Sequence, residues 1–225
     1  MKKLNSLLNP DYDSAAIAVN FREICVGKIA PNTLFRSSHP IIDNKQEPSI
    51  SLLASNARIA SVINLSDSNY QLKTKAFFSP WYYGLYKSNR IIGLGINFTD
   101  SSESYGKKLK KGLQFMIGTP SPLLIHCHAG VDRTGFACMV LEALMGATMD
   151  EIADDYLKSY NSIFSSSIYG GSKGDSLIVM QLLSAMGGSL ATSDQNLQGI
   201  AEHYLQNTIK LSPPEIELLK SKLSA

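Results

Sequence analysis

Residues 125–136 read IHCHAGVDRTGF, with a thiol at Cys127, a guanidinium six positions on at Arg133, Gly130 midway and Thr134 directly after. An apolar run ends at the cysteine and a helical pattern begins near the arginine. A strand end, a tight loop and a helix N-terminus in that order suit an anion. Loop and first-turn amides converge on its oxygens, and the helix dipole adds partial positive charge. Gly130 permits a backbone conformation or close approach that a Cβ would obstruct. Arg133 brings a planar fork able to grip two phosphate oxygens at once. The same donors favour a thiolate at Cys127. A thiolate held beneath a phosphate can attack phosphorus in line with the leaving oxygen, forming a phosphocysteine that water then hydrolyses.

Such a step needs an acid for the leaving oxygen and later a base for water. Two carboxylates qualify. Asp132 lies inside the loop, and Asp100 follows the run IIGLGINF, 27 positions before Cys127. Spacing leaves the choice open, with Asp132 slightly favoured. Thr134 is placed to donate a hydrogen bond to the Cys127 sulfur and ease its departure. His126 is placed to orient the loop through backbone carbonyls. Cys127 taken singly would read as a small buried hydrophobe. Its company of Gly130, Arg133 and Thr134 turns the reading to an anion-binding thiol site. Cys138, within the following amphipathic pattern, reads as core. His39, His128 and His203 show no metal-ligand spacing.

The elements that must position these groups follow from periodicity. Leu34-Phe35, IASVINL (59–65), IIGLGINF (91–98) and LLIHC (123–127) are short apolar runs without alternation, as expected of strands covered on both faces. Helical patterns fall at 49–57, at 103–118 before Pro120 and Pro122, and from Arg133 to Gly146. A Thr148-x-x-Glu151 capping box opens the next, and Ser212-Pro213-Pro214-Glu215 opens the last. These predict an α/β fold: a central, mostly parallel sheet of four to five strands flanked by helices, with a helical C-terminal half. The 225 residues suffice for a single domain over 1–225. Residues 162–175 are small, polar and Gly-rich, an exposed linker or a mobile lid hinged at Gly170-Gly171.

A net charge of +2 gives no general reason to expect nucleic-acid or membrane-surface binding, so any preference for an anion must be local. Three cysteines are too few for a disulfide framework, and no stretch reads as a secretory leader or a membrane span. The expected location is cytoplasmic, and the oligomeric state is unreadable. Lys107, Lys108, Lys110 and Lys111 read as a solvated helix face. The cluster FFSPWYYGLY (77–86) reads as packing or an interaction surface, since no basic residue follows until Lys87.

HCHAGVDRTG resembles the Cys-x5-Arg-Thr/Ser loop of the cysteine-dependent protein-tyrosine phosphatases, and most of all a single-domain bacterial branch whose loop reads HCxxGKDRTG. Asn20-Phe21-Arg22-Glu23, LFRSSHP (34–40), SVINLSDS (61–68), IADDYLKSY (152–160) and residues 203–223 resemble further segments of that branch. The resemblance implies Cys127 as nucleophile and Arg133 as phosphate binder. It also implies the amides of His128, Ala129, Gly130, Val131, Asp132 and Arg133 as the cradle, Thr134 assisting the sulfur, and Asp132 as proposed acid. It implies no metal or organic cofactor, and a protein-tyrosine phosphatase, with dual specificity open, acting on a phosphotyrosine protein or small phosphomonoester. Val131 stands where the branch has lysine, which counts against inositol phosphates or phosphoinositides, the alternative substrates. A phosphate-binding module with little turnover is the reading from another class. Glu23 and the missing glycine pair after it predict a differently shaped N-terminal segment.

Overall fold

The computed structural model describes residues 16–41, 47–97, 99–164, 184–187 and 196–225. Five strands form one sheet: β1 (Arg22–Ile24), β2 (Leu34–Ser37), β3 (Ser61–Asn64), β4 (Ile91–Gly93) and β5 (Leu123–His126). Their order is β1-β2-β5-β3-β4, with β1 antiparallel and the rest parallel. Residues of β2, β3 and β5 are all buried, which explains their continuous apolar character. Successive side chains still alternate between faces. Leu123, Ile125 and Ile63 join one core, while Leu124, Val62 and Phe35 join the other.

One core is closed by α1 (Glu47–Asn56), α2 (Asn69–Lys75) and α3 (Pro80–Lys87). The other is closed by α4 (Ser102–Gly118), α5 (Asp132–Leu144), α6 (Met149–Phe164), α7 (Leu197–Asn207) and α8 (Pro213–Leu223). Local chemistry sets several ends. The Glu151 amide donates to Thr148 Oγ1 at 3.2 Å while Glu151 Oε2 accepts from the Thr148 amide at 2.8 Å. Ser212 and Glu215 form a second capping box with prolines in the first turn. Gly146, at φ +73°, follows the end of α5.

The strand expected over 91–98 is shorter, ending at Gly93, and the chain then turns through Gly95 at φ +56°. Strand β1 and helices α2, α3 and α7 carried no usable periodicity. The lid expected at 162–175 falls, beyond Phe164, outside the described residues.

Registry decides what meets at one edge. His126 pairs with Ser37 on one side and Asn64 on the other, and Asn64 pairs with Gly93. The segments leaving β2, β3, β4 and β5 at their C-terminal ends therefore emerge together. Those segments carry His39, Asp67, Ile96 and Cys127.

Candidate active site

Cys127 leaves central strand β5 into a loop of four residues, and α5 starts at Asp132. The thiol is buried in the floor of that loop. No side chain caps α5, so its first-turn amides keep their donors. Among the described residues, nothing accepts from the amides of His128 to Asp132.

The loop carbonyls are all engaged elsewhere. Cys127 O accepts from His126 Nδ1 at 3.3 Å, and His128 O from the His39 amide at 3.0 Å. Asn20 Nδ2 donates to Ala129 O at 3.4 Å and Gly130 O at 3.1 Å. Arg36 Nη2 donates to Gly130 O at 2.8 Å, and Val131 O takes the Gly135 amide at 2.7 Å. A peptide whose carbonyl is fixed on one side turns its N–H toward the other. The ring thereby offers amides to whatever sits above the sulfur. Gly130 is required for this closure. Its φ is +75°, and a Cβ would lie 2.4 Å from Ser37 O.

A buried ionic cluster backs the carbonyl anchors. Arg36, 1% exposed, pairs with Asp155 on α6, which is 5% exposed. Arg22 also grips Asp155, through Nε at 2.7 Å, and its Nη2 donates to Asp155 O and Ser159 Oγ at 2.6 Å each. Its Nη1 donates to Asn20 Oδ1, steadying the amide that holds the loop. Burial pushes the Asp155 carboxyl up, but Arg36 and Arg22 outweigh it and hold the group at about 2. Glu142 on α5 shares a hydrogen bond with Asp155; burial and then that neighbouring charge push it well above the ordinary carboxyl range. Cys138 lies fully buried in the same helix, and burial pushes its thiol up, in keeping with a core role.

A second buried polar chain supports the other flank. Tyr82 Oη accepts from Asn64 Nδ2 at 3.0 Å and donates to His126 Nε2 at 3.0 Å, leaving Nδ1–H for Cys127 O. Burial, with His39 alongside, keeps the His126 imidazole well below its usual value. His39 Nδ1 accepts from the Ile41 amide, so Nε2–H faces Asp67 Oδ2 at 2.7 Å. Burial alone would raise Asp67, but hydrogen bonds from His39 and Lys75 hold it far below the carboxylate norm.

The two candidate acids differ. Asp100 accepts from the Asn97 amide at 2.8 Å and from Lys108 Nζ at 2.9 and 2.7 Å. Those bonds, the amide first and the lysine next, hold its carboxyl below the usual range. Asp132 is exposed in the first turn of α5, near Tyr156, with no hydrogen bond or ion pair among the described residues. Arg133 Nη1 donates to Ile96 O at 2.8 Å, tying the loop to the segment after β4. Thr134 is fully buried, and its Oγ1 has no partner among the described residues. Val131 sends its side chain into the core, leaving only its backbone to the ring. His128 is exposed, and Ala129 is half-buried.

Sequence reasoning assigned no role to Asn20, Arg22, Arg36, Asp155, Ser159, Asn64, Asp67 or Tyr82. One signal was available: an arginine inside the apolar run LFRSS must be buried with a partner if that run is an inner strand.

A profile of the tyrosine phosphatase family matches residues 88–225. A Cupriavidus necator protein named as a tyrosine-protein phosphatase is 54% identical over 37 residues, covering 16% of this chain and 14% of its own. The triple specificity protein phosphatase PtpB of Mycobacterium tuberculosis is 47% identical over 49 residues, covering 21% of this chain and 17% of its own. The matched stretches thus span less than a fifth of either relative. Among solved structures, the core catalytic domain of the PP-IP phosphatase Siw14 of S. cerevisiae is 20% identical. It matches with a TM-score of 0.45 over 83% of this chain and 94% of its own. TpbA of P. aeruginosa matches with a TM-score of 0.39 at 14% identity, over 72% and 92%. Among the described residues no cluster could hold a metal ion, and no helix is long and apolar enough to cross a membrane.

Proposed function

This chain belongs to the tyrosine phosphatase family, and from that premise we propose that it hydrolyses phosphotyrosine monoesters, with Cys127 as nucleophile. One observation carries the reading. Every carbonyl of the ring from Cys127 to Val131 is engaged away from the centre, while among the described residues nothing accepts from the amides of His128 to Asp132 above a buried sulfur. Such a ring binds a dianion and stabilises the charge that spreads over equatorial oxygens during transfer.

In the proposed mechanism the ring amides and Arg133 hold the phosphoryl group and the Cys127 thiolate attacks phosphorus. The P–O bond to the phenol breaks as the Asp132 carboxyl protonates the departing oxygen. Asp132, now a carboxylate, takes a proton from water, whose oxygen attacks the phosphocysteine; the S–P bond breaks and phosphate leaves. The Thr134 hydroxyl, buried at the helix start, stabilises the departing sulfur. Asp132 is preferred to Asp100 because the latter is already committed to Lys108. With the Val131 side chain in the core, Arg133 is the only cationic side chain within the loop, which fits a single phosphate better than a polyphosphorylated inositol.

Hydrolysis of p-nitrophenyl phosphate, a phosphotyrosine peptide and an inositol phosphate tests this. Cys127→Ser should abolish turnover while retaining phosphopeptide binding. Asp132→Asn should slow a phenyl ester with a poor leaving group by about 100-fold or more, and Asp100→Asn much less. Full activity of Cys127→Ser, or tight phosphopeptide binding without turnover by the native chain, defeats the proposal.

A further inference from the structure

The near-neutral total charge conceals a strongly asymmetric segment. Between Asp67 and Asp100 the chain contains no acidic residue, but it contains Lys73, Lys75, Lys87 and Arg90 together with the protein's single tryptophan. This segment forms α2, a 3-10 turn (Ala76–Phe78) and α3 along the sheet edge at β4.

Its aromatic residues divide into two sets. Tyr82 is fully buried and belongs to the polar chain beneath the loop. Tyr70, Phe77 and Phe78 are 79%, 61% and 64% exposed, far more than large rings usually are. Phe77 lies tilted against Tyr83 with centroids 4.5 Å apart, and Tyr83 stacks on Tyr86 at 6.4 Å, so these three rings make a row. Within α2 Lys73 follows Tyr70 by three residues, on the same face, and within α3 Lys87 follows Tyr83 by four. Both lysines are exposed and lack an ion pair among the described residues.

We propose that this aromatic and basic row is a peripheral docking surface for an anionic lipid bilayer. Aromatic rings favour the headgroup level, where an apolar body and a polar rim are both accommodated. Lysines flanking them gain from the negative surface potential. A second copy of the chain is a poor occupant, because a segment with four cationic and no acidic residues would meet itself. The surface uses none of the groups proposed for catalysis, so the inference stands apart from the phosphatase reading.

Co-sedimentation of the full chain with phosphatidylcholine vesicles, with and without phosphatidylserine, tests it. Binding should require the anionic lipid and weaken with salt. Lys73→Ala/Lys87→Ala should lower the partition coefficient at low salt by about tenfold or more. Phe77→Ser/Phe78→Ser should abolish most binding, with melting temperature confirming that each variant is folded. Absence of binding to anionic vesicles at low salt overturns the proposal. So do undiminished binding by either double variant, self-association lost on Phe77→Ser/Phe78→Ser, and vesicle-independent capture of an acidic peptide by the same rings.

Discussion

Asp155→Asn isolates the ionic support of the loop with almost no change of shape. The Asp155 carboxyl is held at about 2 against an ordinary 3.8. At about 1.4 kcal/mol per pH unit, that preference for the ionised form amounts to roughly 2–3 kcal/mol. For a chain of this size the loss should lower the melting temperature by roughly 5–10 °C at neutral pH. The folded value lies below the unfolded one, so the contribution is complete above the ordinary 3.8 and is lost as pH falls toward 2. The gap between native and variant proteins must therefore close on acidification. Turnover should fall as well, because Arg36 loses the counterion that aims it at Gly130 O. A loop displacement of about 1 Å can cost on the order of 100-fold in rate. Melting curves across that pH range, with phosphomonoester kinetics at neutral pH, measure both effects. An unchanged melting temperature at neutral pH, or a gap that widens in acid, would refute the reasoning.

Gly130→Ala should lose on the order of 100-fold in turnover and about 1–3 kcal/mol of stability, because its Cβ meets Ser37 O at 2.4 Å; kinetics and urea titration check this. Glu142→Gln should gain stability over the native protein as pH rises above 4.5, since a carboxyl kept protonated in the fold costs more once its unfolded counterpart ionises; melting against pH reads the sign. Tyr82→Phe should leave His126 Nε2 buried without its donor, costing about 1–3 kcal/mol, and should shift the imidazole tautomer seen by nitrogen NMR.

The candidate loop could be marked in the sequence because its residues are local: Cys127 to Arg133 run from one strand end to one helix start. The inner strands were legible too, since burial on both faces leaves adjacent apolar residues such as Leu123-Leu124-Ile125 and Val62-Ile63. Strand β1 was not, because three residues with one buried position carry no period. Helices α2 and α3 were hidden by residues that lie beneath the loop or at the surface, such as Tyr82 and Tyr70, rather than one apolar face. The contrast between Asp100 and Asp132 also lay beyond spacing, since only the structure brings Lys108 of α4 back onto Asp100. Arg22 and Arg36 meet through the β1–β2 register, and Asp155 reaches them from α6 across more than a hundred residues, a meeting that no local pattern announces.

The outward anchoring of the ring has a consequence for transplantation. Of the groups that hold it, Asn20, Arg36 and His39 precede residue 88, where the family profile begins, while His126 and Gly135 flank the ring itself. A signature of ten residues grafted onto a foreign strand and helix would carry the sulfur and the guanidinium but would leave its peptide planes free to rotate. The portable motif is thus the smaller share of the device, and the mould that gives it shape is spread from Asn20 in the N-terminal segment to Asp155 on α6.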